Sequence, residues 1–153
     1  MKKKSIIILI LIVLVLSSIN FFYPRDLGKL INKNELIINV QSIEIRKMTA
    51  GSGDKVTLIT DKNKIKELIE YFSEYKVKKS IFQNVYPCNG EDYLIDFYGN
   101  NIENTGWIQI TSGKYITCYT HKQRVSQRGK TIHPYIFVTD FDFNDFVQLF
   151  YEN

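Results

Sequence analysis

Eleven aliphatic side chains run without a break from Ile6 to Leu16, the longest apolar pattern in the chain. Ser17, Ser18, Ile19, Asn20, Phe21, Phe22 and Tyr23 follow, and no charge interrupts the stretch from Ser5 to Tyr23. As a helix these residues reach about 28 Å, close to a bilayer core of about 30 Å. Lys2, Lys3 and Lys4 precede the run, which predicts a cytoplasmic N-terminus. Phe22 and Tyr23 stand where an aromatic belt lies, and Pro24 ends the helix. The pattern predicts a signal anchor over residues 1–24, with the rest of the chain outside the cell. Two other readings compete. A cleaved secretory signal fits the basic and apolar regions but lacks an A-x-A cleavage site. Lipoprotein processing fits Leu16-Ser17-Ser18-Ile19 except that Ile19 stands where the acylated cysteine belongs. Arg25, Lys29 and Lys33 place positive charge on the far side as well, against the simple orientation.

Beyond the anchor the periods shorten. Residues 25–35 are polar with Leu27, Leu30 and Ile31 at helical spacing, which predicts a stalk or linker. The folded domain is expected over 36–153. Alternation predicts strands at 36–48 and 55–60 joined by a turn over Thr49–Asp54, and a one-residue slip near Gln41 and Ser42 predicts a β-bulge. Asp61 caps a helix in which Ile65, Leu68, Ile69 and Phe72 share a face within about 100°. Lys66, Glu67, Glu70 and Glu74 lie opposite. Residues 76–82 are ambiguous between a strand and an extended return. Further strands are expected at 92–98, 107–111, 114–120 and 133–139, with a compact turn at Ser112-Gly113. Asp140 or Asp142 caps a last helix, whose apolar face holds Phe143, Phe146, Val147 and Phe150; Phe141, Leu149 and Tyr151 fall off that face. The two strand-to-helix junctions echo one another without a duplication. The expected fold class is α+β: an antiparallel sheet of five or six strands with two packed helices, preceded by one transmembrane helix.

Charge narrows the function. The chain has 20 basic and 16 acidic residues, but three of the basic ones precede the apolar run, leaving 17 against 16. A near-neutral domain lacks the dominant basic face of a nucleic-acid binder, so no nucleic acid is expected as partner. Heavy use of Ile, Lys and Asn resembles a low-GC Gram-positive composition. Cys88 and Cys118 form an even pair, which outside the cell can close a disulfide worth roughly 3–4 kcal/mol, or remain two thiols.

Few residues offer chemistry. Gly51-Ser52-Gly53-Asp54-Lys55 lacks the phosphate-loop spacing and joins strand to strand, so it reads as a hairpin turn. His121 and His133 lie too far apart for a zinc pair, so neither metal nor cofactor is implied. Cys118 and His121 are near in sequence but lack a third orienting group. Asp92 and Asp96 share one side of a strand about 13 Å apart, too far for a catalytic carboxylate pair, and read as a solvated face. His121, Lys122, Arg124, Arg128 and Lys130 make the most basic stretch, flanked by Tyr119 and Tyr135. This is the candidate binding site. It suits an anionic surface or polymer, or the phosphate site of a small ribonuclease.

The run Thr60-Asp61-Lys62-Asn63-Lys64-Ile65-Lys66-Glu67-Leu68-Ile69, then Tyr93-Leu94-Ile95-Asp96-Phe97-Tyr98 and the Gly113-Lys114-Tyr115 turn, resembles small exported domains of unknown function in low-GC Gram-positive bacteria. The resemblance covers roughly 36–153 and implies a lipoprotein or single-pass placement, with no catalytic residues to transfer. The expected function is therefore a membrane-anchored, non-enzymatic binding or accessory protein of the cell envelope, of the immunity type among others. Its expected partners are the lipid bilayer, through Ser5 to Tyr23, and a protein or envelope polymer. The competing reading is an anchored hydrolase using the His121 loop.

Overall fold

A computed structural model of the chain describes residues 3–48, 55–81, 92–100, 104–111, 113–120 and 134–152. The apolar run forms helix α1 (Lys3–Phe22), whose side chains from Ser5 to Ile19 are exposed. Among the described residues no helix is long and apolar enough to cross a membrane. This corrects the transmembrane helix, the signal anchor and the single-pass location. The physical reason lies in the run itself. Its unbroken aliphatic part, eleven residues, spans only about 16 Å as a helix, roughly half a bilayer core. Ser17 and Ser18 then interrupt it, and the Ser18 hydroxyl turns back to donate to Leu14 O at 2.8 Å.

The segment expected as a stalk belongs to the folded unit. Arg25–Asp26 forms strand β1, and Leu27–Leu30 forms the short helix α2. Leu27 N–H donates to Tyr75 O at 3.0 Å, and the Leu27 side chain is fully buried. Gly28 permits this approach, because a Cβ there would meet Ser73 Oγ at 2.8 Å. Asn32 adopts a left-handed conformation (φ 56°), which asparagine tolerates better than most residues, and its side chain donates to Glu35. The chain thereby turns into α3 (Lys33–Asn39). The expected long strand with a bulge is thus a helix followed by strand β2 (Ser42–Met48). Buried Leu27, Ile31, Leu36 and Val40 explain the change: their spacing serves two short helical turns, and the slip near Gln41 is the helix-to-strand junction.

Next come β3 (Val56–Ile59) and α4 (Lys62–Ser73). Asp61 caps α4 as expected, its Oδ1 accepting from Asn63 N–H and Lys64 N–H at 2.7 and 3.0 Å. Strands β4 (Lys76–Lys79), β5 (Asp92–Tyr98), β6 (Asn104–Thr111), β7 (Tyr115–Thr120) and β8 (Tyr135–Phe137) follow. The strands form one eight-stranded sheet in the order β1-β4-β8-β7-β6-β5-β2-β3, antiparallel at every pairing. The expected five or six strands are corrected to eight. The additions are β1 and β4, which pair with one another at the far side of the sheet and are too short to show a period. Gly113 supplies the positive φ (62°) needed between β6 and β7.

The chain ends in α5 (Phe143–Phe146), capped by Asp142, and a π-helical turn over Val147–Tyr151. Glu152 N–H donates to Val147 O at 3.0 Å, five residues back. That wider turn rotates Tyr151 inward, so Tyr151 is buried, against the expectation from a regular helix. Phe141 is buried as well, stacked on Phe137 at 4.7 Å.

One core holds the whole together. Ile43, Ile45, Tyr93, Ile95, Phe97, Ile108, Ile110, Ile116 and Cys118 line one face of the sheet. The registers place Ile45, Ile95, Ile108 and Cys118 in one cross-strand row. Ile65, Leu68, Ile69 and Phe72 of α4, with Phe146 and Phe150, cover that face. Tyr71 ties the two helical layers, its hydroxyl donating to Asp142 O at 2.8 Å. Burial, then the bond from Tyr75, pushes the Tyr71 phenol upward.

Candidate functional site

Alternation along each strand turns a second set of side chains to the face away from the helices. The registers align Leu58, Glu44, Asp96, Trp107 and Tyr119 as one row across five strands. Arg46, Leu94, Gln109 and Thr117 form the next row. This face, and not a loop, gathers the described polar and aromatic groups with binding character.

Its centre is a guanidinium held by two carboxylates. Arg46 lies two residues along β2 from Glu44, so both point the same way. It reaches the diagonal position on β5, where its terminal nitrogen lies 2.5 Å from Asp96 Oδ2. Its Nε lies 3.1 Å from Glu44 Oε1, an ion pair whose angle falls short of a hydrogen bond. The hydrogen bond that Arg46 donates to Asp96 raises the Arg46 pKa, so the guanidinium stays charged. Burial, with the nearby Asp96 and Glu44 charges, raises the Tyr98 phenol and keeps it protonated at neutral pH. One cation against two anions leaves the cluster at net −1.

Beside it lies an aromatic platform. Trp107 and Tyr119 are opposite one another on β6 and β7, with ring centroids 5.9 Å apart and planes 19° from parallel. Both are half-buried, so part of each ring faces outward. Trp107 is the one tryptophan in the chain.

Asp92 and Asp96 were expected on a solvated face. They are 3% and 4% exposed, and Asp96 is engaged by Arg46. Strand spacing alone shows which side a carboxylate takes, but not which cation a neighbouring strand brings to it. The Glu44-x-Arg46 alternation was the available signal, and it gains meaning only with the β2–β5 register.

His121, Lys122, Arg124, Arg128 and Lys130 lie outside the described residues, as do His133 and Cys88. The flanking tyrosines are described and do not frame one surface. Tyr119 lies on the outer face, whereas Tyr135 pairs with Ile116 on the core side. Cys118 is a free thiol on that core side. Burial pushes its pKa up to about 12 from an ordinary 9.0. Among the described residues, no three His, Cys, Asp or Glu side chains are grouped to hold a metal ion.

The thiol gives a measurable consequence. Cys118 in the folded protein is expected to resist a thiol reagent at pH 8 and to react once denaturant is added. Rapid labelling of Cys118 in the native protein would contradict its burial. Because the folded pKa is raised, the thiol's contribution is complete below about pH 9 and is lost as pH climbs toward about 12.

No family model matches the chain, and no curated protein or solved structure matches it.

Proposed function

We propose that this chain is a non-enzymatic binding protein that engages a partner protein over the sheet face turned away from its described helices. One observation carries the reading: Trp107, Tyr119 and Arg46 gather on that face. Tryptophan, tyrosine and arginine are the residue types that dominate binding energy at protein interfaces. Here they sit on rigid strands, so little ordering entropy is lost on association. The same geometry argues against catalysis by the described carboxylates. Both Glu44 and Asp96 bracket the Arg46 guanidinium, which occupies their carboxylates with an ion pair.

Trp107 supplies the test, because it reports on its own surroundings. The partner is to be isolated by affinity capture with the full chain and then purified. Its binding is followed through Trp107 fluorescence for the natural chain, and by calorimetry for Trp107→Ala. The substitution is expected to weaken binding by about 30-fold or more, a loss of at least about 2 kcal/mol, with the far-ultraviolet spectrum unchanged. Unaltered affinity in Trp107→Ala would move the interface elsewhere. A substrate turned over by the purified chain, with loss of activity in His121→Ala, would instead support a hydrolase.

A further inference from the structure

Among the described residues β3 ends the strand order, with β2 as its partner on one side. Lys47 N–H donates to Lys55 O at 3.4 Å. Antiparallel alternation therefore turns the backbone groups of Lys55, Thr57 and Ile59 toward β2, and those of Val56, Leu58 and Thr60 outward. The side chains at the outward positions are apolar where it matters: Val56 is 50% exposed and Leu58 63% exposed. Edge strands are commonly blunted by proline, a bulge or a central charge. The run Val56-Thr57-Leu58-Ile59-Thr60 has no proline and no charge, and its pairing with β2 is regular.

The C-terminal turn braces this strand from the helical side. Thr57 Oγ1 donates to Tyr151 O at 2.9 Å, and the Tyr151 hydroxyl donates to Lys55 O at 3.0 Å. Neither bond uses an outward backbone group. Alongside the strand runs a groove of about 270 Å³, lined by Leu58, Ile59, Asp61, Lys64, Leu149 and Phe150 among others.

We propose that β3 pairs antiparallel with β3 of a second copy of this chain, about a twofold axis through Leu58. The sequence is self-complementary in that register. Lys55 falls opposite Asp61 of the other copy, twice by symmetry, Val56 opposite Thr60, Thr57 opposite Ile59, and Leu58 opposite Leu58. The outward backbone groups of Val56, Leu58 and Thr60 then meet their own counterparts as hydrogen-bonded pairs. Centring the pair on Thr57 instead sets Lys55 against Ile59 and forfeits both charge pairs. Asp61 uses Oδ1 for the helix cap, so its other carboxylate oxygen is the one that would meet Lys55 of the second copy. A twofold axis makes the interface isologous, so the assembly closes at two copies. The row Tyr119, Trp107, Asp96, Glu44, Leu58 would run on through Leu58 of the second copy to a second aromatic platform. This inference uses the strand edge and stands apart from the identity of any partner on the face.

Site-specific crosslinking of the full chain tests it, in a Cys88→Ser background so that the remaining natural thiol is buried Cys118. Leu58→Cys is expected to give a covalent dimer with a short bismaleimide, and Lys66→Cys, on the exposed face of α4, is expected to give little. Equal yields at the two positions, or none at Leu58, would overturn the proposal. Association through the exposed side chains of α1 would give no such selectivity. In sedimentation, Leu58→Lys sets two like charges together on the axis and is expected to weaken dimerisation about tenfold or more. Lys55→Glu is expected to weaken it by a smaller factor, and more so at low salt. Sedimentation of the natural chain as a monomer at every concentration, or of Leu58→Lys unchanged from it, would also overturn the proposal.

Discussion

Phe146→Ala is expected to destabilise the protein by about 3–5 kcal/mol, a large fraction of the roughly 5–15 kcal/mol of an ordinary domain. Phe146 is fully buried where the C-terminal helix meets both α4 and the sheet. Its ring lies 5.8 Å from that of Phe72, 5.7 Å from Tyr93 and 5.9 Å from Phe141, with Phe143 and Phe150 also within 6.4 Å. Removing the ring loses its transfer energy and leaves a cavity among aromatic rings too rigid to collapse into it. Phe146→Leu should recover a large part of the loss. Leu149→Ala, three residues on and 38% exposed, should change stability by no more than about 0.5 kcal/mol. Urea unfolding distinguishes these outcomes: the Phe146→Ala midpoint should fall sharply with little change in slope. A near-neutral result would mean that the final helix packs on the sheet by some other face.

The contrast between Phe146 and Leu149 was readable in the sequence, because Phe143, Phe146, Val147 and Phe150 recur at helical spacing and Leu149 does not share their face. The same holds for Ile65, Leu68, Ile69 and Phe72, and for the Asp61 cap, where each partner lies within a few residues. What failed to show was either too short or too distant. Arg25–Asp26 has no period at two residues, and its place in the sheet depends on Val77 and Lys76, some fifty residues away. The junction between α3 and β2 looked like a bulge because the buried spacing of Leu36 and Val40 runs straight into that of Ile43 and Ile45. Tyr151 was misplaced because a regular helical repeat was continued through a π-turn. In the apolar N-terminal segment, Ser5 to Tyr23 is uncharged at full length, but its unbroken aliphatic part ends at Leu16. The candidate site was the least legible part. Glu44, Arg46, Asp96, Trp107 and Tyr119 come from four strands, and only the register makes them neighbours.

Arg46→Ala is expected to cost about 2–4 kcal/mol, which is large for a residue on a sheet face turned from the core. Asp96 explains why. Its side chain is 6% exposed, so its carboxylate draws on the Arg46 guanidinium for part of the solvation that water does not supply. The Arg46 side chain is 36% exposed, which lowers the expectation from that for a fully buried pair. The asymmetry gives a sharper test than the single change. Glu44→Ala removes a carboxylate that is 28% exposed and should cost under about 1 kcal/mol. Replacing both Arg46 and Asp96 by leucine removes the buried carboxylate along with the guanidinium. That double variant should regain most of the stability lost in Arg46→Ala, because two apolar side chains can occupy neighbouring strand positions without leaving an ion unpaired. Its binding behaviour should not recover, since the Arg46 guanidinium belongs to the proposed interface. Stability restored with binding still lost would separate the structural part of Arg46 from its part in recognition. Stability that stays low in the double variant would show that Arg46 acts through packing of its stem against the sheet, and binding that survives would remove Arg46 from the interface.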